Sequence, residues 1–345
     1  MSRHINIPVF IPHLGCPNQC VFCNQHTISG AGEFDPSKLR QTIEDVLSST
    51  KPDDEIEIAF FGGSFTGIDR DLMISLLKVA NSYIERGLVS SIRCSTRPDY
   101  IDDEILSILK KYGVKVIELG LQSFSDSVLQ ISKRGHDSNA EISATKKIVD
   151  AGFQLVGQMM IGLPGSTLDL ELKTADFIIS SGAVGARIYP TVVFHDTELS
   201  KMVECGEYSP LSLEDAVNRS ASVLERFIDA GVKVIRIGLC ASENLSSEQT
   251  YHSGPNHSAL GELVENELYF RKIYAKASQM ELADRDILVV SVSRGSTSKA
   301  IGQKKRNKLL LCERLGISKV LVKEDEKLAG YEISVTKEDR RIKCT

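Results

Sequence analysis

Three cysteines stand within eight positions near the start of the chain: Cys16, Cys20 and Cys23 in "HLGCPNQCVFCNQ". The opening "MSRHINIPVFIPHL" has no apolar stretch long enough for a signal peptide, so a reducing, cytoplasmic setting is expected. There, eight cysteines do not make a disulfide framework, and a tight cluster points to metal binding or catalysis. Structural zinc takes four Cys or His ligands, usually as two pairs. This chain has one triplet, which His13 or His26 could complete as a Cys3His site. The rival reading is an iron–sulfur cluster, which thiolates ligate. A CxxxCxxC loop holds three irons of a 4Fe–4S cluster and leaves the fourth open to a small molecule, as a catalytic zinc site keeps one open position.

Such a loop needs a scaffold, and the alternation of elements supplies one. "IPVFIP" (Ile7 to Pro12) reads as a short strand leading into the cysteines. Asp35 and Pro36 open a helical pattern to Thr50. Strands then recur at Glu55–Gly67, "SIRCST", "VKVIELGLQS", "FQLVGQMMIGLPG", "VGARIYPTVV" and "VKVIRIG", separated by helical stretches that mostly close at glycine. Consecutive βα units mean a parallel sheet. Six of them predict a partial (βα)6 TIM-like barrel with its site at the carboxyl ends of the strands, where the cysteine loop falls. The expected organisation is a barrel over residues 1–240, a linker or lid over 241–260, and a small C-terminal α/β domain over 261–345. In that last part a single helix is expected from about Thr297 to Leu315.

With 42% hydrophobic and 25% charged residues, the composition is that of a globular protein. No apolar run approaches the roughly 18 residues of a membrane span, so no membrane partner is expected. A net charge of −5 argues against broad non-specific nucleic-acid binding. Local basic faces remain: Lys304, Lys305, Arg306 and Lys308 form either a solvated helix face or a phosphate-contacting patch for RNA. Cys94, Cys205, Cys240, Cys312 and Cys344 have no partner at ligand spacing. Of these only Cys240 falls near the expected active face.

The CxxxCxxC loop resembles that of the radical S-adenosylmethionine (SAM) superfamily. The resemblance implies that the open iron chelates SAM, that an electron from the cluster releases a 5′-deoxyadenosyl radical, and that Phe22, just before the third cysteine, lies near the adenine. It also gives Gly62, Gly63 and Ser64 a role: a Gly-Gly-rich motif occurs there in the family, with Glu commoner than Ser at the third position. Glycines allow close backbone approach, and free carbonyls would accept from the SAM ammonium. Glu118, Gly120 and Gln122 share one strand face. If that face is the barrel interior, Gln122 is a SAM contact; the alternative puts it on the outer surface. Arg134 could pair with the SAM carboxylate, or be a solvated loop arginine. Arg187 and Tyr189 alternate on one face as candidate substrate contacts, suited to an anionic or aromatic molecule, or else form a surface pair.

"TRPDYID", "ELGLQSFSDSVL…RGH", "GLPGST" and "IYPTVV" together resemble, in order and spacing, the radical SAM domain of the Elongator catalytic subunit over roughly residues 7 to 240. Oxygen-independent coproporphyrinogen III oxidase is a more distant likeness. The stretch "RIGLCAS" replaces the family's "RDIP"-like run; its basic N-terminal arm and acetyltransferase domain are not seen. The resemblance therefore implies a 4Fe–4S cluster, SAM and the barrel, a ferredoxin- or flavodoxin-type reductant, and tRNA as one candidate substrate. The alternatives are a zinc-containing RNA-binding protein without radical chemistry and a tetrapyrrole-acting oxidase.

Overall fold

The computed structural model describes residues 3–11, 14–16, 20–24, 34–239, 250–284 and 286–338. Seven strands form one parallel sheet: β1 (His4–Ile11), β2 (Glu55–Gly62), β3 (Ser91–Thr96), β4 (Val114–Gln122), β5 (Gln154–Ile161), β6 (Gly185–Pro190) and β8 (Lys233–Ile237). Their spatial order is their chain order, and they curl through 219° as a half-barrel. This is the partial TIM-like architecture expected.

Local chemistry explains the repeat. Helices α1 (Leu39–Leu47), α2 (Arg70–Glu85), α3 (Asp103–Lys111), α4 (Asp126–Ile131), α5 (Ser138–Asp150), α6 (Leu168–Ser180), α7 (Glu198–Glu204) and α8 (Leu213–Asp229) connect the strands. Asp69, Asp102, Asp137, Thr167 and Ser212 each accept a backbone N–H from the first turn of the helix they precede. Alternate strand residues such as Ile58, Phe60, Ile117, Leu119, Met159 and Ile188 form the core beneath the helices. The intervening residues face the barrel interior, and many are polar. The short helix α4 falls inside the motif after β4, where no element was expected.

Beyond the sheet the structure adds one element and corrects another. Tyr251–Ser253, within the expected linker or lid, is a strand (β9) paired antiparallel with β7 (Val193–Phe194). Residues 240–249, Cys240 included, lie outside the described residues, as does Cys344. Helix α9 (Leu260–Ala277) then leads into a three-stranded sheet of β10 (Ile287–Val292), β11 (Lys319–Glu324) and β12 (Ile333–Glu338). The expected single helix over 297–315 is broken into α10 (Thr297–Ile301) and α11 (Arg306–Leu315). Between them Gly302, Lys304 and Lys305 have positive φ. The buried Asn307 amide holds this break by donating to the carbonyls of Asn266 (2.7 Å) and Ala300 (3.3 Å). Lys304 and Lys308 therefore do not share one helix face.

Candidate functional site: a thiolate loop over a polar half-barrel

The cysteine loop sits at the carboxyl ends of the strands and is tied to three of them. Val21 N–H donates to Ser132 O (3.2 Å), after β4, and Leu199 N–H, after β6, donates to Val21 O (2.8 Å). Cys16 Sγ lies 3.4 Å from Ser64 Oγ, after β2. Phe22 and Val21 pack with Val193, Leu199 and Met202, so the Phe22 ring helps anchor the loop to the segment that follows β6.

Glycine makes that seating feasible. A Cβ on Gly63 would stand 2.2 Å from Leu14 O, and one on Gly15 2.3 Å from Ser64 O. The two backbones meet with no side chain between them. Gly62 adds a φ of +107°, which other residues adopt at a cost.

Cys20 is buried, with two guanidiniums aimed at it. Arg134 Nη1 donates to its Sγ at 3.2 Å, and Arg97 Nη1 approaches at 3.9 Å. Arg134 is thus no solvated loop residue: Nη2 also donates to Gly120 O (2.6 Å), and its own carbonyl accepts from Arg97. Asp99 holds Arg97 through two bonds of 2.9 Å. Sequence reasoning quoted Arg97 inside a motif but gave it no task.

Gln122 ends β4 on the interior face, beside Gly120. Its φ is +71°, unusual for a residue with a side chain, and a bulge shifts the β4–β5 register there. Its Oε1 is buried without a partner, as is Arg134 Nε. Buried polar atoms are nearly always satisfied, and here two orphans stand together beside positive-φ backbone, where a polar ligand would find partners.

Next to Arg134 lies a second buried group. His136 Nε2 is 3.2 Å from Glu141 Oε1, and both side chains are almost fully buried. Burial, then the charge of Arg134, pushes the imidazole down to about 3; burial pushes the Glu141 carboxyl up to about 9. Both partners are thereby held in their neutral forms. An open cleft of about 790 Å³, lined by Asp99, Lys133, His136 and Asp137, adjoins it.

Deeper in the interior, charges alternate across the strands. Arg93 donates to Glu57 (2.6 and 2.9 Å) and to Glu118 (2.8 Å). Arg187 donates to both oxygens of Glu118 (2.7 and 2.9 Å), and Gln158 adds a bond of 2.9 Å. Burial alone would raise the Glu118 carboxyl, but the Arg187 and Arg93 bonds prevail and hold it below its ordinary value. Of the two candidate substrate contacts, Arg187 is thereby committed to Glu118, while Tyr189 lies half-buried beside it. Glu57 and Arg93 were missed. The available signal was a charged residue at alternate positions of otherwise apolar strands, "EIEIAFF" and "SIRCST".

Among the described residues no three metal-ligating side chains converge as one bound ion requires. His13 and His26 lie outside the described residues. No helix among the described residues is long and apolar enough to cross a membrane.

Two family models match the sequence: the radical SAM superfamily over residues 10–178 and the radical SAM C-terminal domain over residues 183–269. A tRNA uridine(34) acetyltransferase of Methanocaldococcus infernus is 30% identical over 205 residues, 53% of this chain and 38% of that protein. An uncharacterized protein of Methanocaldococcus jannaschii is 30% identical over 236 residues, 65% of this chain and 72% of that one. Human Elongator complex protein 3 is 27% identical over 286 residues, 73% of this chain and 52% of that protein. The chain thus spans about 38% of the acetyltransferase and half of the human relative. The structure of the archaeal Methanocaldococcus infernus Elp3 superposes with a TM-score of 0.62 at 23% identity, covering 81% of this chain and 64% of that one; it shows the shared fold.

Proposed function

The chain belongs to the radical SAM superfamily and is an enzyme of it, and from that premise we propose that Cys16, Cys20 and Cys23 hold a 4Fe–4S cluster beside a SAM site built from Gly62, Gly63, Ser64, Gln122 and Arg134. When bound, cluster and SAM together supply a 5′-deoxyadenosyl radical by one-electron cleavage of the sulfonium. The residues present fit that pair. The glycine seam lets Leu14–Cys16 lie against Gly63–Ser64 without a gap. Arg134 and Arg97 point donors at the Cys20 sulfur, and donors to a ligating sulfur raise a cluster's potential. Arg134 Nε and Gln122 Oε1 are left for a zwitterionic ligand. The substrate lies over the polar interior of the half-barrel. An electron donor of the ferredoxin or flavodoxin type completes the reading. We take tRNA as the substrate, on the support of the relatives named for tRNA uridine 34.

The observation that carries the proposal is the strained Gln122, its oxygen orphaned, next to an arginine that already grips a loop cysteine. Anaerobic reconstitution is expected to give a 4Fe–4S complement. Dithionite and SAM should then yield 5′-deoxyadenosine, abolished by Cys23→Ala. A fully loaded chain that makes none would overturn the proposal. Incubation with total tRNA, followed by nucleoside mass spectrometry, tests the substrate.

A further inference from the structure

The interior charges balance as far as β6 and then stop balancing. Glu57 and Glu118 face Arg93 and Arg187, and both Glu118 oxygens are taken. The next strand adds another cation. In the β6–β8 ladder Ala186 pairs with Val234, but Arg187 pairs with Arg236, because a bulge at Ile235 shifts the register. Paired residues on neighbouring strands share a face, so the bulge sets Arg236 beside Arg187. Two like charges directly opposed destabilise a sheet. Arg236 is exposed and makes no hydrogen bond or ion pair among the described residues. Its charge reaches Tyr189 in the chamber: burial raises that phenol, Arg187 lowers it, Glu118 raises it and Arg236 lowers it. Folding alone gives no reason for a bulge that seats a spare guanidinium next to one already neutralised. Bulges beside active sites re-aim side chains.

We propose that Arg236, with Tyr189 beside it, is the oxyanion anchor of the substrate chamber, taking a phosphate ester or carboxylate carried by the substrate. This rests on the reading of the half-barrel interior as the substrate chamber. A guanidinium fork fits either oxyanion in two-pronged fashion, and the half-barrel rim lets it stay hydrated until a ligand arrives.

The test is calorimetric titration of the full chain, reconstituted and loaded with SAM, with uridine 5′-monophosphate, uridine and citrate. The wild type is expected to bind an anion saturably, and uridine more weakly. Preference for the nucleotide over citrate assigns the phosphate source; the reverse assigns a carboxylate. Arg236→Gln should weaken anion binding tenfold or more, on the order of what a lost charged hydrogen bond costs, with partial rescue by Arg236→Lys. Ligand-free Arg236→Gln should unfold at the same temperature or higher, because a like-charge pair is gone. Unchanged anion affinity in that variant, no saturable anion binding by the wild type, or a Tm several degrees lower would each overturn the proposal. Formation of 5′-deoxyadenosine by the wild type is read separately, so failure of the cofactor assignment and failure of the anion anchor are distinguishable.

Discussion

At the scale of single residues, the buried His136–Glu141 pair makes a pH-dependent claim with a definite sign. Glu141 titrates near 9 in the fold, against an ordinary value near 4.3 in the unfolded chain. Between those values the folded state holds a proton the unfolded state lacks. Its contribution is therefore complete below about pH 4.3 and is lost as pH rises toward 9, by about 1.4 kcal/mol per unit. His136 has the opposite slope: its folded value of about 3 lies below the ordinary 6.5, so its contribution is lost as pH falls between them. Denaturant unfolding of the wild type and of Glu141→Gln across pH 5 to 9 should give a stability difference that moves steadily against the wild type. A flat difference would mean that Glu141 is ionised in the fold. Individual residues were also the hardest to read in advance. Cys16, Cys20 and Cys23 announced themselves by spacing. Arg97 did not, because its link to Cys20 joins positions 77 residues apart through a fold the sequence only implies.

At the scale of elements, the turn after β2 and the loop before Cys16 form one object. Gly63→Ala places a methyl 2.2 Å from Leu14 O, and backbone cannot yield as a side chain can. The variant should keep its helical and strand content by circular dichroism, lose about 1–3 kcal/mol of stability, and load a small fraction of the wild-type iron. Full iron occupancy would show that the seam does not position Cys16. Elements were legible where local signals act alone: the Asp35 cap, closing glycines and apolar alternation gave strands and helices in the right order. They failed where a distant partner decides. The basic run after Gly302 has helical composition, yet Asn307 reaches back to α9 and splits it.

At the scale of the molecule, α9 serves two cores. Val264 and Leu268 pack with the barrel, while Tyr269, Phe270 and Ile273 pack with the C-terminal sheet. Arg271 adds bonds to Ser222 (2.9 Å) and Asn218 (2.9 Å) on α8. A chain cut after residue 258 forfeits two buried side chains worth about 1.5–3 kcal/mol each, a large part of a typical 5–15 kcal/mol. Size exclusion and dye binding should report an aggregated or loosened barrel. A sharp thermal transition at the full-length midpoint would instead show the half-barrel standing by itself. The half-barrel was readable because repetition survives errors at any one unit; the shared helix was not, since nothing local says that one helix has two clients.

Among the described residues, an arc of 219° leaves β1 and β8 each paired on one side. Bare strand borders invite neighbouring chains to zip on and clump. β1 carries Pro8, which offers no N–H to a stranger, and β8 is five residues long and bulged. The unclosed ring thus comes with blunted lips, able to admit a guest molecule while declining to polymerise.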